Sequence, residues 1–151
     1  MRLALGSDER TYLTDALVAE LRRRGHALIL LGPLGGDAVL WPEVGRAVGA
    51  AVATGQADQG IVCCYTGTGV SIAANKVPGV RAALCHDAQT AAGARTWNDA
   101  NVLALSLRTT TPDLACEILD AWFATSSPPE EQPTIDQIRA LDAARTTRIN
   151  P

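Results

Sequence analysis

The sequence predicts an α/β domain in which a doubly wound, five-stranded parallel sheet lies between two layers of helices, with one extra helix at the C-terminus. Three observations lead there. Five short apolar runs alternate with five stretches of helical periodicity, the pattern that builds parallel sheets through βαβ crossovers. Glycine or proline punctuates many of the boundaries between them. The 151 residues suit one domain, large enough to bury a core without disulfides or a structural metal.

The elements follow in order. Arg2–Ser7 is a short apolar run passing into Asp8, a buried strand and its turn. Over residues 11–24, Leu13, Ala16, Leu17 and Leu21 fall on one helical face, and Gly25 follows as a stop. Arg22, Arg23 and Arg24 form the last turn of that helix, where cations suit the macrodipole. Ala27–Leu31 is the second strand, closed by Gly32 and Pro33. Pro42 fits the first turn of a helix whose stripe is Val44, Ala47, Val48, Ala51 and Val52, ending at Gly55. Residues 60–64 are the third strand, followed at once by a glycine-rich turn and a helix to about Asn75. Residues 81–85 are a strand, 87–96 an alanine-rich helix and 102–105 the fifth strand. Thr111 caps a helix with Pro112 at its start and Ala115, Ile118, Leu119, Trp122 and Phe123 on its buried side.

This domain takes up residues 1–125. Residues 126–133 (Ser-Ser-Pro-Pro-Glu-Glu-Gln-Pro) are a polar, proline-rich linker outside the core. Thr134 with Gln137 forms a capping-box signature, opening a helical tail over residues 134–151. Its narrow stripe of Ile135, Ile138 and Leu141 is expected to pack on its own domain or on a partner subunit.

Composition narrows the function. Apolar residues make up 47% but aromatics only 4%, so the core must be built from Ala, Val, Leu and Ile. A net charge of −3, with no basic block beyond the arginine triplet, argues against nucleic-acid and anionic-membrane partners. Asp8 and Glu9 arrive too soon for a signal-peptide core, and no run approaches the roughly 18 apolar residues of a membrane helix. A cytoplasmic location is expected. Cys63, Cys64, Cys85 and Cys116 lack the spacing of a zinc knuckle or a dithiol motif, so neither a metal site nor dithiol redox chemistry is expected.

In open α/β sheets, ligands bind beyond the carboxyl ends of the strands. Asp8, Cys64, His86, Asp87 and the residues from Ser106 to Arg108 all fall on that edge. The strongest local signal is Cys64-Tyr65-Thr66-Gly67-Thr68-Gly69-Val70-Ser71. Gly67 and Gly69 allow amides to converge on an oxygen, and the helix that follows adds positive partial charge. Such a cradle suits a phosphate, a carboxylate or an enediolate. A thiol at a helix N-terminus gains thiolate character, which makes Cys64 a candidate general base or nucleophile. Set against this, most free cysteines are simply small buried residues, the role expected of Cys63, Cys85 and Cys116. His26 is expected at the surface between the first helix and the second strand. No Walker motif is present, because Asn75-Lys76-Val77 does not supply its Gly-Lys-Ser/Thr. A dinucleotide fingerprint also fails, since Ile72 stands where its third glycine belongs.

A longer match adds to this. Gly60-Ile61, Thr66-Gly67, the run from Ser71 through Asn75-Lys76-Val77-Pro78-Gly79 to Cys85, the run from Asn98 to Leu105, and the opening Ala4-Leu5-Gly6-Ser7-Asp8 resemble the ribose-5-phosphate isomerase B and galactose-6-phosphate isomerase family. The resemblance spans about residues 1–125 in colinear order. It implies a Rossmann-like fold, a homodimer or tetramer with sites at the subunit interface, and cofactor-free aldose–ketose isomerisation of a small sugar or sugar phosphate. By the same resemblance, Cys64 removes the proton beside the carbonyl to give a cis-enediolate. Thr66, Gly67, Thr68, Gly69, Val70 and Ser71 stabilise the oxyanion, and Asp8 hydrogen-bonds substrate hydroxyls. The catalytic set is then Cys64, Thr66 and Asp8. Asn98 touches the sugar in the other subunit's site, and Arg108 lies near the phosphate.

Four positions depart from the family pattern. Glu9 stands where a histidine is usual, Trp97 replaces the histidine credited with ring opening, and Tyr65 occupies a glycine position. Pro-Pro-Glu-Glu-Gln-Pro replaces a phosphate-binding Gly-Gly-Arg-His segment. Glu9, Tyr65 and Trp97 therefore line a changed substrate pocket. Three functions are compatible: an isomerase, sharpened by Trp97 to an open-chain substrate such as a tetrulose phosphate; an epimerase or dehydratase acting through the same enolisation on an unphosphorylated molecule; or a sugar-binding module without turnover.

Overall fold

The computed structural model describes residues 1–149 of the chain, with side chains described to residue 142. Its elements run β1 (Arg2–Ser7), α1 (Tyr12–Arg23), β2 (Ala27–Leu31), α2 (Trp41–Ala53), β3 (Gln59–Cys64), α3 (Thr68–Ala74), β4 (Ala82–Leu84), α4 (Ala88–Asn98), β5 (Val102–Ser106), α5 (Pro112–Ala124) and α6 (Gln132–Ile149). All strand pairs are parallel, in the order β2-β1-β3-β5-β4. This is the doubly wound Rossmann-like sheet that the alternating pattern predicts. Its strand order reverses between β1 and β3, leaving a crevice beyond their carboxyl ends.

Period-two alternation divides the core between the two faces. Leu3, Leu5, Ile61, Cys63, Leu103 and Leu105 pack with α1, α4 and α5, whereas Ala4, Val62, Cys64, Val102 and Ala104 pack with α2 and α3. The second face is built on small residues. A Cβ added at Gly6 would lie 2.7 Å from a Val48 methyl and 2.8 Å from a Val44 methyl, so α2 rides directly on the sheet. Trp122 is the bulkiest fully buried side chain; its Nε1–H donates to Gln59 Oε1 at 2.7 Å, and Arg95 lies over its ring.

Several boundaries differ from expectation. β4 is shorter than residues 81–85 because it is the sheet edge and pairs only with β5. α4 continues through Trp97 and Asn98, beyond the alanine-rich segment that announces it, and stops at Asp99 in a left-handed conformation (φ 44°). The last helix starts at Gln132, ahead of Thr134, so the capping box does not open it. A turn of 3-10 helix at Pro129–Glu131 runs straight into it, and Pro133 is tolerated in the first turn. The proline-rich segment is also tied down, Ser127 Oγ donating to Thr96 O at 2.8 Å.

The tail is held to its own domain by buried Ile135, by Arg139 on Asp99 (3.3 Å) and by the Gly79 N–H donating to Asp142 (2.8 Å). Ile138 and Leu141, expected in the same stripe, are exposed in the single chain. The final two residues of the tail lie outside the described ones. Cys63 and Cys85 are buried as expected, and burial pushes both thiols up to about 12. Cys116 is only partly covered, and Phe123 is likewise half-buried. Among the described residues no helix is long and apolar enough to cross a membrane.

His26 is a correction: it is half-buried rather than at the surface, with its ring 4.9 Å from Phe123 and its Nδ1 buried without a partner. Burial lowers its pKa below 6.5, and the N-terminal amine and Arg24 act in the same direction. The unfolded chain therefore binds the proton more readily, so this group costs stability as pH falls through 6.5. Urea unfolding between pH 7.5 and 5 should show a smaller loss of stability for His26→Gln than for the wild type. Equal slopes would remove His26 from the account.

Candidate active site

The site is assembled from three strand ends. Ser7 pairs with Cys63, so Asp8 leaves β1 level with Cys64; Cys64 in turn pairs with Ser106 at the end of β5. The register thus gathers a carboxyl group, a thiol and a hydroxyl at the switch crevice. Cys64 is 5% exposed, on the face covered by α2 and α3.

The loop after Cys64 is fixed by backbone hydrogen bonds. Cys64 O accepts from Gly67 N (3.1 Å) and Leu107 N (3.0 Å). Tyr65 O accepts from Arg108 N (3.0 Å) and from Ser106 Oγ (3.0 Å). The exits of β3 and β5 are thereby sewn together. Gly67 caps α3 at φ 76°, where an added Cβ would lie 2.6 Å from Leu84 Cδ1 and 2.9 Å from the Leu105 carbonyl. No other residue fits there.

This geometry corrects two expectations about the cradle. The Gly67 N–H is consumed in closing the turn, and the Ser71 N–H donates to Gly67 O, so neither amide is open to a ligand. Val70 is fully buried with its side chain in the core, so it presents nothing to the surface of the site. The amides of Thr68, Gly69 and Val70 fill the first turn of α3, where no intrahelical acceptor exists. At the rim the hydroxyls of Thr66 and Thr68 pair at 2.6 Å, and Tyr65 stands largely exposed.

Asp8 carries the clearest sign of a missing partner: its Oδ1 is buried and accepts no hydrogen bond. Leaving such an atom unpaired costs about 1–3 kcal/mol, which a ligand hydroxyl would relieve. Burial holds the Asp8 carboxyl above its ordinary 3.8, and Glu9 beside it adds to the shift, against an opposing backbone hydrogen bond. Glu9 itself is exposed, its N–H donating to Ser7 Oγ at 3.3 Å. Of the cations on this edge, Arg10 is paired with Asp15 (2.8 Å) and Arg46 with Glu43. Arg108 is exposed and has no carboxylate partner among the described residues.

Trp97 and Asn98 do not join this group. They end α4, which starts at the carboxyl edge of the sheet and runs 11 residues back, about 16 Å. Both line a groove of about 930 Å³ bordered by β4, α4 and α6, with Ile138 and Leu141 on its far wall. Asp87 also borders this groove, and caps α4 through Thr90 N (2.6 Å). His86 is exposed beside it. One contributor was missed: Trp41, whose indole packs against Gly69. A list of strand ends could not find it, because it lies at the start of a helix that begins on the same edge.

A parallel α/β sheet with a thiol, a partly buried carboxyl group and a capped loop at its switch crevice has the architecture of a Rossmann-like enzyme. The model of the Ribose/Galactose Isomerase family matches residues 3–138. Ribose-5-phosphate isomerase B of Escherichia coli is 37% identical over 146 residues, covering 95% of this chain and 98% of that protein. D-erythrulose-4-phosphate isomerase of Pectobacterium atrosepticum is 45% identical over 88 residues, 58% of each chain. The structure of Clostridium thermocellum ribose-5-phosphate isomerase B superposes with a TM-score of 0.89 at 39% identity, covering 96% of this chain and 99% of that one. The chain belongs to the ribose/galactose isomerase family, and it is an isomerase.

The Gly67 geometry is testable by itself. Gly67→Ala should lower stability by about 1–3 kcal/mol in chemical denaturation, since it combines a strained φ with a backbone clash. A loss of only a few tenths would mean that the loop relaxes.

Proposed function

We propose that this protein interconverts the aldose and ketose forms of a short, open-chain sugar phosphate, with Cys64 as the base. The observation that carries the proposal is the register that brings Cys64 and Asp8 level at the adjoining ends of β3 and β1, where a buried Asp8 oxygen has no partner among the described residues. As its thiolate, Cys64 takes the proton from the carbon next to the carbonyl, and the electron pair moves onto the carbonyl oxygen as a cis-enediolate. The amides of Thr68 and Gly69, with the Thr66 hydroxyl, are placed to receive that charge. The hydroxyl proton passes to that oxygen, and Cys64 returns its proton to the former carbonyl carbon as the neighbouring oxygen becomes the new carbonyl, completing the isomerisation. Asp8 holds the substrate hydroxyls, and Arg108, free of a carboxylate, takes the phosphate.

A four-carbon ketose phosphate suits the site best. With phosphate on its fourth oxygen, the chain lacks the hydroxyl that would close a five-membered ring. No ring-opening acid is needed, and Trp97 supplies none. The name of the Pectobacterium relative is in keeping with this choice.

In heavy water, a tetrulose 4-phosphate should acquire deuterium beside the carbonyl as aldose forms. Cys64→Ala should slow exchange by at least about 10³-fold, in line with removal of a general base. Exchange without aldose formation would favour an epimerase, and undiminished exchange in Cys64→Ala would end the base assignment.

The proposal also uses a homodimer. The groove along β4, α4 and α6 exposes Trp97, Ile138 and Leu141 in the single chain, and a second copy would cover it while delivering Asn98 to the neighbouring Cys64. Chains carrying Cys64→Ala and chains carrying Asn98→Ala, each inactive alone, should recover about a quarter of wild-type activity after subunit exchange, because half of the sites in mixed dimers are then intact. No recovery after verified exchange would place Asn98 outside the partner's site.

A further inference from the structure

Trp41 is the first residue of α2, at the sheet edge that holds Cys64. Val44, one turn further along, lies against Gly6. Trp41 therefore stands one turn beyond Gly6, above the point where β1 gives way to Asp8. From there its indole reaches across to α3: a Cβ added at Gly69 would lie 3.0 Å from Cε3, 3.1 Å from Cδ2 and 3.3 Å from Cζ3. The ring is 42% exposed, too open to serve only as core packing. Its Nε1–H makes no hydrogen bond among the described residues. A large, rigid side chain thus bridges α2 and the first turn of α3, with part of its surface open.

We infer that Trp41 is the wall that ends the site on its β1 side and sets the length of substrate it accepts. The inference rests on the proposed sugar-phosphate site. Arg108 marks the opposite end, at the exit of β5. β1 and β5 flank β3, so the two ends lie two strand spacings apart, about 9–10 Å. A chain anchored by its phosphate at Arg108 crosses Cys64 and brings its far hydroxyl to Asp8, where it meets the indole. A four-carbon chain ends there, against the ring. Each added carbon must displace the ring or lift the chain away from Cys64.

The test uses alditol phosphates of four, five and six carbons, which cannot enolise, so binding is read without turnover. Calorimetric Kd values are compared for the wild type, Trp41→Leu, Trp41→Ala and, as an exposed aromatic elsewhere, Tyr12→Ala. The wild type and Tyr12→Ala should prefer the four-carbon probe. Trp41→Ala should shift the ratio of five- to four-carbon affinity by about tenfold toward the longer probe, with Trp41→Leu intermediate. If Trp41→Ala weakens all three probes by one common factor, leaving their ratio within twofold of wild type, the wall is overturned and the indole merely props the loop. Turnover of the matching ketose phosphates is followed in parallel. Wild-type binding with the length shift but no turnover would count against the isomerase reading alone.

Discussion

The site depends on one close approach, Gly67 against the Leu105 carbonyl. That contact lets the chain turn out of β3 in a left-handed conformation and enter α3 at once. It also brings the exit of β3 within hydrogen-bonding distance of the exit of β5, so that Cys64 O and Tyr65 O each accept two bonds. Four hydrogen bonds hold the segment that carries the thiol, and the first-turn amides of α3 lack intrahelical acceptors. A side chain at residue 67 would separate the two strand exits and dismantle the cradle.

Around that fixed loop the electrostatics are selective. Cys63, next along the strand, alternates to the other face, and burial keeps its thiol neutral. Asp8 is partly desolvated and its Oδ1 lacks a partner among the described residues, whereas Asp15 and Glu43 are paired with arginines and Glu9 is exposed. Among the described residues the uncommitted groups here are few: one thiol, the Asp8 and Glu9 carboxyl groups, two amides and Arg108. This is a small complement, suited to a small substrate, and the indole of Trp41 narrows the same space.

The opposite end of the molecule has a different logic. Asp99, forced left-handed at the end of α4, accepts from Arg81 (2.9 Å) and Arg139 (3.3 Å), with Arg95 at 3.9 Å. That node ties α4, the entry to β4 and α6 together. β4 is an exposed edge, yet Asn75 answers the backbone of Ala82 with both ends of its carboxamide, blunting the edge at that residue. The groove beside it displays Trp97, Ile138 and Leu141 on a rigid frame.

The sequence by itself determined the five alternating units, both helix-start prolines at Pro42 and Pro112, and the glycine turn from Cys64 into a helix. These signals are local: apolar spacing, backbone-restricting residues and a motif that stays contiguous along the chain. Asp8 was also legible, because a strand end predicts which edge a residue occupies. Other features were decided only by the tertiary structure. Which amides remain open depends on Gly67 N having spent itself on Cys64 O, and the neglect of Val70 depends on which face of α3 meets the core. The start of α6 at Gln132 follows from the turn preceding it, not from the capping-box residues. Trp41 meets Gly69 only because α2 is pressed onto Gly6 of the sheet. The Trp41 contact joins residues far apart in sequence, and packing distance, which no spacing rule encodes, decides it.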